Sequence, residues 1–251
     1  MNVLFLEAPY RGEIELCQAT LDYLKKKKYK TVALYASVQF CPTLEKVKEQ
    51  LQKLNIKYIT SQPDRTHVSS QLLGCDNYHS SLNLAEKELQ QIGCYLYVGD
   101  GKFHPLALVY AQKDSSAIKE IVSDDPLGKK MIIMDQNDIK IILRRYRGSL
   151  LKFLQAHKVG VISTIKPGQE QLRPSFSLER KFPDKKFYYF LDDTISFSQL
   201  ENFNFIDVWI NTACPRIGFD DQEKFQRGVL NLNDAFHAEE ILSQDSILNK
   251  A

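Results

Sequence analysis

No run of about 18 consecutive apolar residues occurs anywhere in this 251-residue chain, so no stretch of it reads as a membrane-spanning helix. The opening Met1-Asn2-Val3-Leu4-Phe5-Leu6-Glu7 has no basic region followed by a long apolar one, which argues against a secretory signal and makes the cytoplasm the expected location. An excess of one charge is also lacking. Lys and Arg number 33 against 31 Asp and Glu, a formal +2, which argues against a strongly basic nucleic-acid binder and against an acidic solvating tail. Cysteine is sparse and odd in number: five, at positions 17, 41, 75, 94 and 214, with no Cys-x-x-Cys pair. That set fits neither a disulfide framework nor a compact zinc knuckle, so any metal held by these thiols requires them to converge from distant loops. No internal repeat or low-complexity segment is evident, and the length allows two domains with enough interior to fold without staples.

What is present is organised around residues 94–105, Cys-Tyr-Leu-Tyr-Val-Gly-Asp-Gly-Lys-Phe-His-Pro. Cys94 to Val98 are apolar and rich in aromatic and β-branched types, which predicts a strand buried on both faces. Gly99 and Gly101 then permit positive φ and close approach, while Asp100, Lys102 and His104 bring three polar groups to one strand end. In an open α/β sheet that end is where ligands bind. The competing reading is a tight strand-to-helix turn with solvated charges, because a lone Gly-x-Gly is a weak signal.

Around this stretch the apolar pattern predicts strands at residues 3–7, 31–36, 56–60, 118–123, 159–164, 187–191 and 206–210, and helices at 13–28, 41–54, 82–91, 105–111, 136–156 and 234–242. Strands alternating with helices predict βαβ units and parallel sheets, in two lobes that meet near residue 125. Residues 61–74 form a polar loop long enough to suggest function, ending in Gly74-Cys75-Asp76-Asn77. Arg144, Arg145 and Arg147 are expected on a solvated helix face, contact with an acidic partner being the alternative.

Cys17 and Cys94 occupy apolar positions of a predicted helix and strand and are expected to be inert thiols. Cys75 and Cys214 instead lie in loops at element ends, Cys214 directly after a strand. Thiolates bind soft metals, and an iron-sulfur cluster takes three or four of them, leaving one iron open when only three are given. Their spacing is not diagnostic, and the Cys-x-x-x-Cys-x-x-Cys run of the common radical enzymes that use S-adenosylmethionine is absent.

Taken in order, Ser37-Val38-Gln39-Phe40, Leu73-Gly74-Cys75-Asp76, Gly99-Asp100-Gly101-Lys102-Phe103-His104-Pro105, Lys166-Pro167-Gly168-Gln169 and Ala213-Cys214-Pro215-Arg216 resemble the signatures of the diphthamide-synthesis enzymes, the 2-(3-amino-3-carboxypropyl)histidine synthases. The resemblance implies α/β domains of one type, normally three, whose loops each give one cysteine to a 4Fe-4S cluster in a homodimer or paralogous heterodimer. It implies transfer of a 3-amino-3-carboxypropyl group from S-adenosylmethionine, by a radical route, to a histidine of translation elongation factor 2, with neither nucleic acid nor membrane bound directly.

Carried over residue by residue, it assigns Cys75 and Cys214 as metal ligands, and the turns at Gly101 and at Gly168 and Gln169 to the methionine part of the cofactor. Arg216 is expected to pair with the cofactor carboxylate through its fork of donors, an ordinary surface ion pair being the bland reading. His104 is expected to hydrogen-bond within the site or to be a structural group before Pro105. Catalytic residues beyond these are not assigned. The chain departs from the pattern at its start, which reads as the last strand of the first domain: 1–28 a remnant, 29–125 and 126–251 two further domains. The third thiolate is left to a separate first-domain polypeptide or to a recruited Cys41 or Cys17. The remaining alternative is that the chain is a non-catalytic partner subunit. Cys41 follows Gln39-Phe40, where the family motif has no ligand.

Overall fold

The computed structural model of the protein describes residues 8–166, 171–221 and 224–250. The expected strand at 3–7 therefore lies outside the described residues. The chain forms two compact units, one running through Gln112 and again over Ala117–Ile139, the other made of Lys113–Ser116 and the chain from Lys140 onward.

The first unit is built on β1 (Thr31–Ala36), β2 (Lys57–Ile59), β3 (Cys94–Val98), β4 (Glu120–Asp125) and β5 (Lys130–Met134), in the order β2-β1-β3-β4-β5. The first four are parallel and β5 is antiparallel to β4. Every residue of β1 and β3 is buried, which is why these strands read as unbroken apolar runs rather than alternating ones. Val32 and Leu34 of β1 and Leu96 and Val98 of β3 share one core with Leu24 of the helix Gln18–Lys27 and with Val47 and Leu51 of the helix Glu45–Lys53. Each such side chain removed from water contributes about 1.5–3 kcal/mol.

The helix expected from residue 13 begins only at Gln18, because its cap comes from elsewhere in the chain. Asp124, at the end of β4, accepts the Cys17 N–H at 3.0 Å and the Thr20 hydroxyl through the same carboxylate oxygen. Cys17 is accordingly a half-buried residue at a helix start, where a core position was expected. The helix ends on Lys25, Lys26 and Lys27, cations placed where the helix dipole favours them. The segment expected as a helix from Cys41 is a short 3-10 turn, Cys41–Thr43, followed by the helix proper.

β5 is the main departure from expectation in this unit. The lobes are expected to meet near residue 125, yet the Asp125 carboxylate accepts the N–H groups of Leu127 and Gly128 at 3.1 and 2.8 Å and folds the chain back. An aspartate bonding its own backbone a few residues on is a turn-former, so the Asp-Pro pair starts a hairpin rather than a linker. Lys129, at φ 50°, completes it.

The second unit contains β6 (Lys158–Thr164), β7 (Lys186–Asp192), β8 (Val208–Asn211) and β9 (Val229–Asn231), all parallel, in the order β7-β6-β8-β9. Sequence alone does not reveal β9, since three residues are too few to show a period. The helix Gln136–Gln155 buries Leu143, Tyr146, Leu150 and Phe153, a spacing of three and four that marks one helical face. Arg144 and Arg145 lie exposed, whereas Arg147 is half-buried with its Nε 3.4 Å from Asn249 Oδ1. Lys113 is fully buried here, its ammonium 3.9 Å from the equally buried Asp234, which also takes the Tyr146 hydroxyl. The segment is held further by Ile247 N–H to Ser115 O at 2.7 Å and Leu248 N–H to Lys113 O at 3.2 Å. Where one closing helix was expected, the described residues form three short ones, Leu232–Phe236, Ala238–Ser243 and Ile247–Lys250.

Candidate functional site

The two sheets share one strand order, and with it one kind of opening. In the first, the chain leaves β1 in one direction toward β2 and in the other toward β3. In the second, it leaves β6 toward β7 on one side and β8 on the other. Such a reversal separates the loops that follow the two central strands and leaves a crevice at their carboxyl ends, where parallel sheets bind ligands.

In the first unit the crevice is bounded by Ser37–Phe40 after β1 and by the glycine turn after β3. Ser37 N–H donates to Val98 O at 3.0 Å and Gly99 N–H to Asp124 O at 2.8 Å, so the three strand ends are stitched together. Gly101 holds φ +66°, a conformation that L side chains rarely adopt, and a Cβ there would meet no atom within 4 Å. A Cβ on Gly99 would instead lie 2.6 Å from the Tyr97 hydroxyl. That hydroxyl is 3.1 Å from His104 Nδ1, and the two rings stack with centroids 6.0 Å apart, which orients His104 at the start of the helix Pro105–Ala111.

Cys75 follows β2, and the loop that carries it is drawn back across β1. Ala36 N–H donates to Ser70 O at 2.7 Å and Leu72 N–H to Ala36 O at 3.0 Å, a bridge that sets the Gly74-Cys75-Asp76 corner at the carboxyl end of the sheet. Asp76 locks the corner from within by accepting the Leu73 N–H at 2.7 Å through Oδ2. Its other oxygen, Oδ1, is buried without a hydrogen-bond partner, and burial pushes the carboxyl up to about 6. Burial also pushes the half-buried Cys75 thiol up, and the Asp76 charge adds to this against the opposing pull of Arg65.

In the second unit Cys214 stands immediately before the short helix Pro215–Asp220. Two asparagines hold its loop. Asn211, the last residue of β8, donates to the Cys214 carbonyl at 2.9 Å and accepts the Ala213 N–H at 3.1 Å, and Asn231, the last residue of β9, donates to the Pro215 carbonyl at 2.9 Å. The asparagines also bond each other at 2.8 Å. Sequence reasoning missed both; the only signal was a polar residue at a strand end. Arg216 is 4% exposed and ion-paired with Asp220, one helical turn on, so it is neither solvated nor an ordinary surface pair. Gly168 and Gln169 lie outside the described residues.

Of the remaining thiols, Cys94 is fully enclosed in β3, where burial pushes it up to about 12, as a core thiol should be. Cys41 is pushed up to about 12 by burial too, and its Sγ lies 3.4 Å from Ser37 O. Among the described residues there is no group of three or more His, Cys, Asp or Glu placed to hold a metal ion. Cys75 in the first unit and Cys214 in the second are thus half-buried thiols at sheet-end loops, soft donors suited to iron, and neither unit on its own has a complete ligand set among the described residues.

The chain is 27% identical over 208 residues to the 2-(3-amino-3-carboxypropyl)histidine synthase of Pyrococcus horikoshii, a match covering 82% of this chain and 56% of that protein. It is 24% identical over 224 residues to subunit 1 of the same synthase from Eremothecium gossypii, covering 88% of this chain and 49% of the relative. The chain therefore spans about half the length of the curated relatives it matches. Among solved structures, that of Dph2 from P. horikoshii with a 4Fe-4S cluster matches with a TM-score of 0.68 at 24% identity, over 97% of this chain and 65% of that one. A second crystal structure of P. horikoshii Dph2 gives a TM-score of 0.66 at 22% identity, over 92% and 62%. These likenesses establish the fold, two mostly parallel α/β sheets of the Dph2 type. The family model of the diphthamide synthesis proteins matches residues 1–246, nearly the whole chain, and the protein belongs to that family.

Proposed function

We propose that this chain belongs to a 2-(3-amino-3-carboxypropyl)histidine synthase, which carries out the first step of diphthamide formation on a histidine of translation elongation factor 2 in the cytoplasm. The observation that carries this reading is that Cys75 and Cys214 each sit at the carboxyl end of a parallel sheet, on corners braced by backbone and side-chain hydrogen bonds. The names of the matched relatives support the activity, and the cluster in the P. horikoshii Dph2 structure supports the cofactor. Among the described residues no helix is long and apolar enough to cross a membrane.

In this reading Cys75 and Cys214 hold a 4Fe-4S cluster as thiolates. When bound, the cluster supplies the electron that splits S-adenosylmethionine to the 3-amino-3-carboxypropyl radical. Burial favours the protonated form of Cys75, so taking up iron there releases a proton to solvent and becomes tighter as pH rises. The glycine turn at Gly101 lets the cofactor backbone approach closely, and His104, set by Tyr97, orients it. Gly168 and Gln169 are assigned to the methionine part of the cofactor by the family resemblance alone. Arg216 exchanges part of its pairing with Asp220 for the cofactor carboxylate, a geometry its fork allows. Two thiolates fall short of the three that leave one iron open, and the source of the third is not assigned; the printed name "subunit 1" of the fungal relatives supports a multichain assembly.

Anaerobic reconstitution with iron and sulfide, followed by assay of label transfer from S-adenosylmethionine to elongation factor 2 with and without the candidate partner, tests the reading. A brown protein that transfers label in the presence of the partner is expected. A colourless, inactive preparation in its presence leaves the chain as a non-catalytic scaffold.

A further inference from the structure

Cys214 stands at the carboxyl end of the second sheet, and a separate cleft opens at the amino end. One wall is the helix Gln136–Gln155, where Arg145, Gly148, Ser149 and Lys152 share a face by their spacing of three and four. The other is the segment 225–228 that leads into β9. The hollow between them measures about 590 Å³. Lys152 also lines a second hollow, of about 340 Å³, with His157, Asp207 and Arg227, which lie just before β6, β8 and β9. Volumes of that size suit a small organic molecule and not a single ion.

These walls are cationic without an internal need for it. A lysine near a helix C-terminus ordinarily answers the unpaired carbonyls there, but Lys185 already does so, its Nζ donating to Leu154 O at 2.9 Å and to Ala156 O at 2.8 Å. Lys152 and Arg227 have no carboxylate partner among the described residues, and Arg227 donates to the Asn204 carbonyl at 2.9 Å. Among the described residues that line the two hollows, the one carboxylate is that of Asp207. It is taken up by the His157 and Lys158 N–H groups at 3.0 and 2.8 Å. The strand register sets Lys158 beside Lys186, so the same end of the sheet gains two further exposed cations.

Gly148 points the same way. Glycine ranks below every residue but proline as a helix former, yet it stands inside this 20-residue helix. No neighbour requires it there, since a Cβ would meet no atom within 4 Å. What the missing side chain leaves is open room in the cleft. Across from it Gly228 keeps φ +86°, and a Cβ on it would come 3.2 Å from Ser149 Oγ, so side chains are absent from both walls at these facing points.

Cations on separate segments match a ligand whose negative charge is spread along its length, and a chain of phosphates meets them in series where a lone anion meets one. Phe225 and Gln226 in the same wall suit the planar, hydrogen-bonding ring of a nucleoside. We propose that this cleft binds a phosphate chain, carried by a nucleoside di- or triphosphate or by free polyphosphate. The site uses neither Cys75 nor Cys214, so it stands apart from the proposed reaction and from any metal.

Isothermal titration calorimetry of the intact chain tests it, with ATP, tripolyphosphate and single-stranded RNA as separate probes. ATP or tripolyphosphate is expected to bind with a micromolar dissociation constant that rises with salt. Tighter binding of ATP assigns the nucleotide; equal or tighter binding of tripolyphosphate assigns the bare chain. Lys152→Glu and Arg227→Glu, both at exposed side chains, are each expected to weaken binding about tenfold. Gly148→Ala is expected to raise the unfolding temperature, because alanine is the better helix former. Gly148→Met is expected to fill the hollow and weaken binding about tenfold with the far-ultraviolet spectrum unchanged. No binding at millimolar probe overturns the proposal, as does an affinity indifferent to Lys152→Glu or to Gly148→Met. RNA that binds more tightly than either probe, and is lost with Lys152→Glu, overturns it in favour of a nucleic-acid surface.

Discussion

The side-chain amide of Asn211 lies 2.9 Å from the carbonyl oxygen of Cys214 and donates to it, so the loop that presents the thiol is fixed by a residue three positions earlier. The same amide group accepts the Ala213 N–H. Asn211→Ala removes donor and acceptor together and leaves buried backbone groups without partners, at an expected cost of about 1–3 kcal/mol. Thermal unfolding is expected to show a drop of several degrees, and reconstituted iron content to fall even though every cysteine is retained. Asn211→Asp, which keeps the acceptor, is expected to fall between the two.

Cys75→Ala and Cys214→Ala are each expected to abolish iron loading in the assembled complex, since ligation needs the thiolate. Cys94→Ala is expected to leave iron content unchanged and to cost about 1 kcal/mol through the small void left in β3. Iron analysis after reconstitution separates the two classes. Full loading in the Cys214 variant would remove it from the ligand set.

Glycines at the turn after β3 are expected to respond differently to alanine. Gly101→Ala meets open space but must hold positive φ, a strain of about 1 kcal/mol with the surroundings undisturbed. Gly99→Ala drives a methyl into the Tyr97 hydroxyl and displaces the group that orients His104. Binding of S-adenosylmethionine, measured by calorimetry on the assembled protein, should weaken more in the Gly99 variant than thermal stability alone accounts for.

Glu120 supplies an acid-dependent part of the stability. Burial pushes its carboxyl up, but hydrogen bonds from Lys27, Tyr29 and Tyr23 outweigh burial and hold it below its ordinary 4.5. A carboxyl depressed by folding stabilises fully above its unfolded value and loses that contribution as pH falls through the folded one. Urea midpoints of the wild type should therefore fall below about pH 4.5, and those of Glu120→Gln should fall less steeply over the same range. Parallel curves would show that Glu120 carries no part of the acid transition.

Much of the architecture was legible because its cause is local. β1 and β3 are continuous apolar runs since both faces are buried, and that run is visible residue by residue. The helix Gln136–Gln155 is visible in the spacing of Leu143, Tyr146, Leu150 and Phe153. The positions of Cys75 and Cys214 in loops at element ends follow from the same reading. β5 and β9 were not legible: one depends on a turn made by the Asp125 side chain, the other on a neighbour that gives three residues a place in a ladder.

Sequence by itself therefore determined which segments are strands buried on two faces, where the glycine turn falls, and that Cys75 and Cys214 stand in loops outside the core while Cys94 lies within it. Tertiary structure alone decided what holds those cysteines in place. Pairing β8 with β9 in the register Asn211 to Asn231 brings together two side chains twenty positions apart, and no local pattern encodes that meeting. The bridge from Ala36 to Gln71 likewise returns the Cys75 loop to a strand that ended long before it. The reason is physical: burial and backbone preference act on each residue where it stands, whereas a hydrogen bond between distant groups exists only after packing has fixed the register that aligns them.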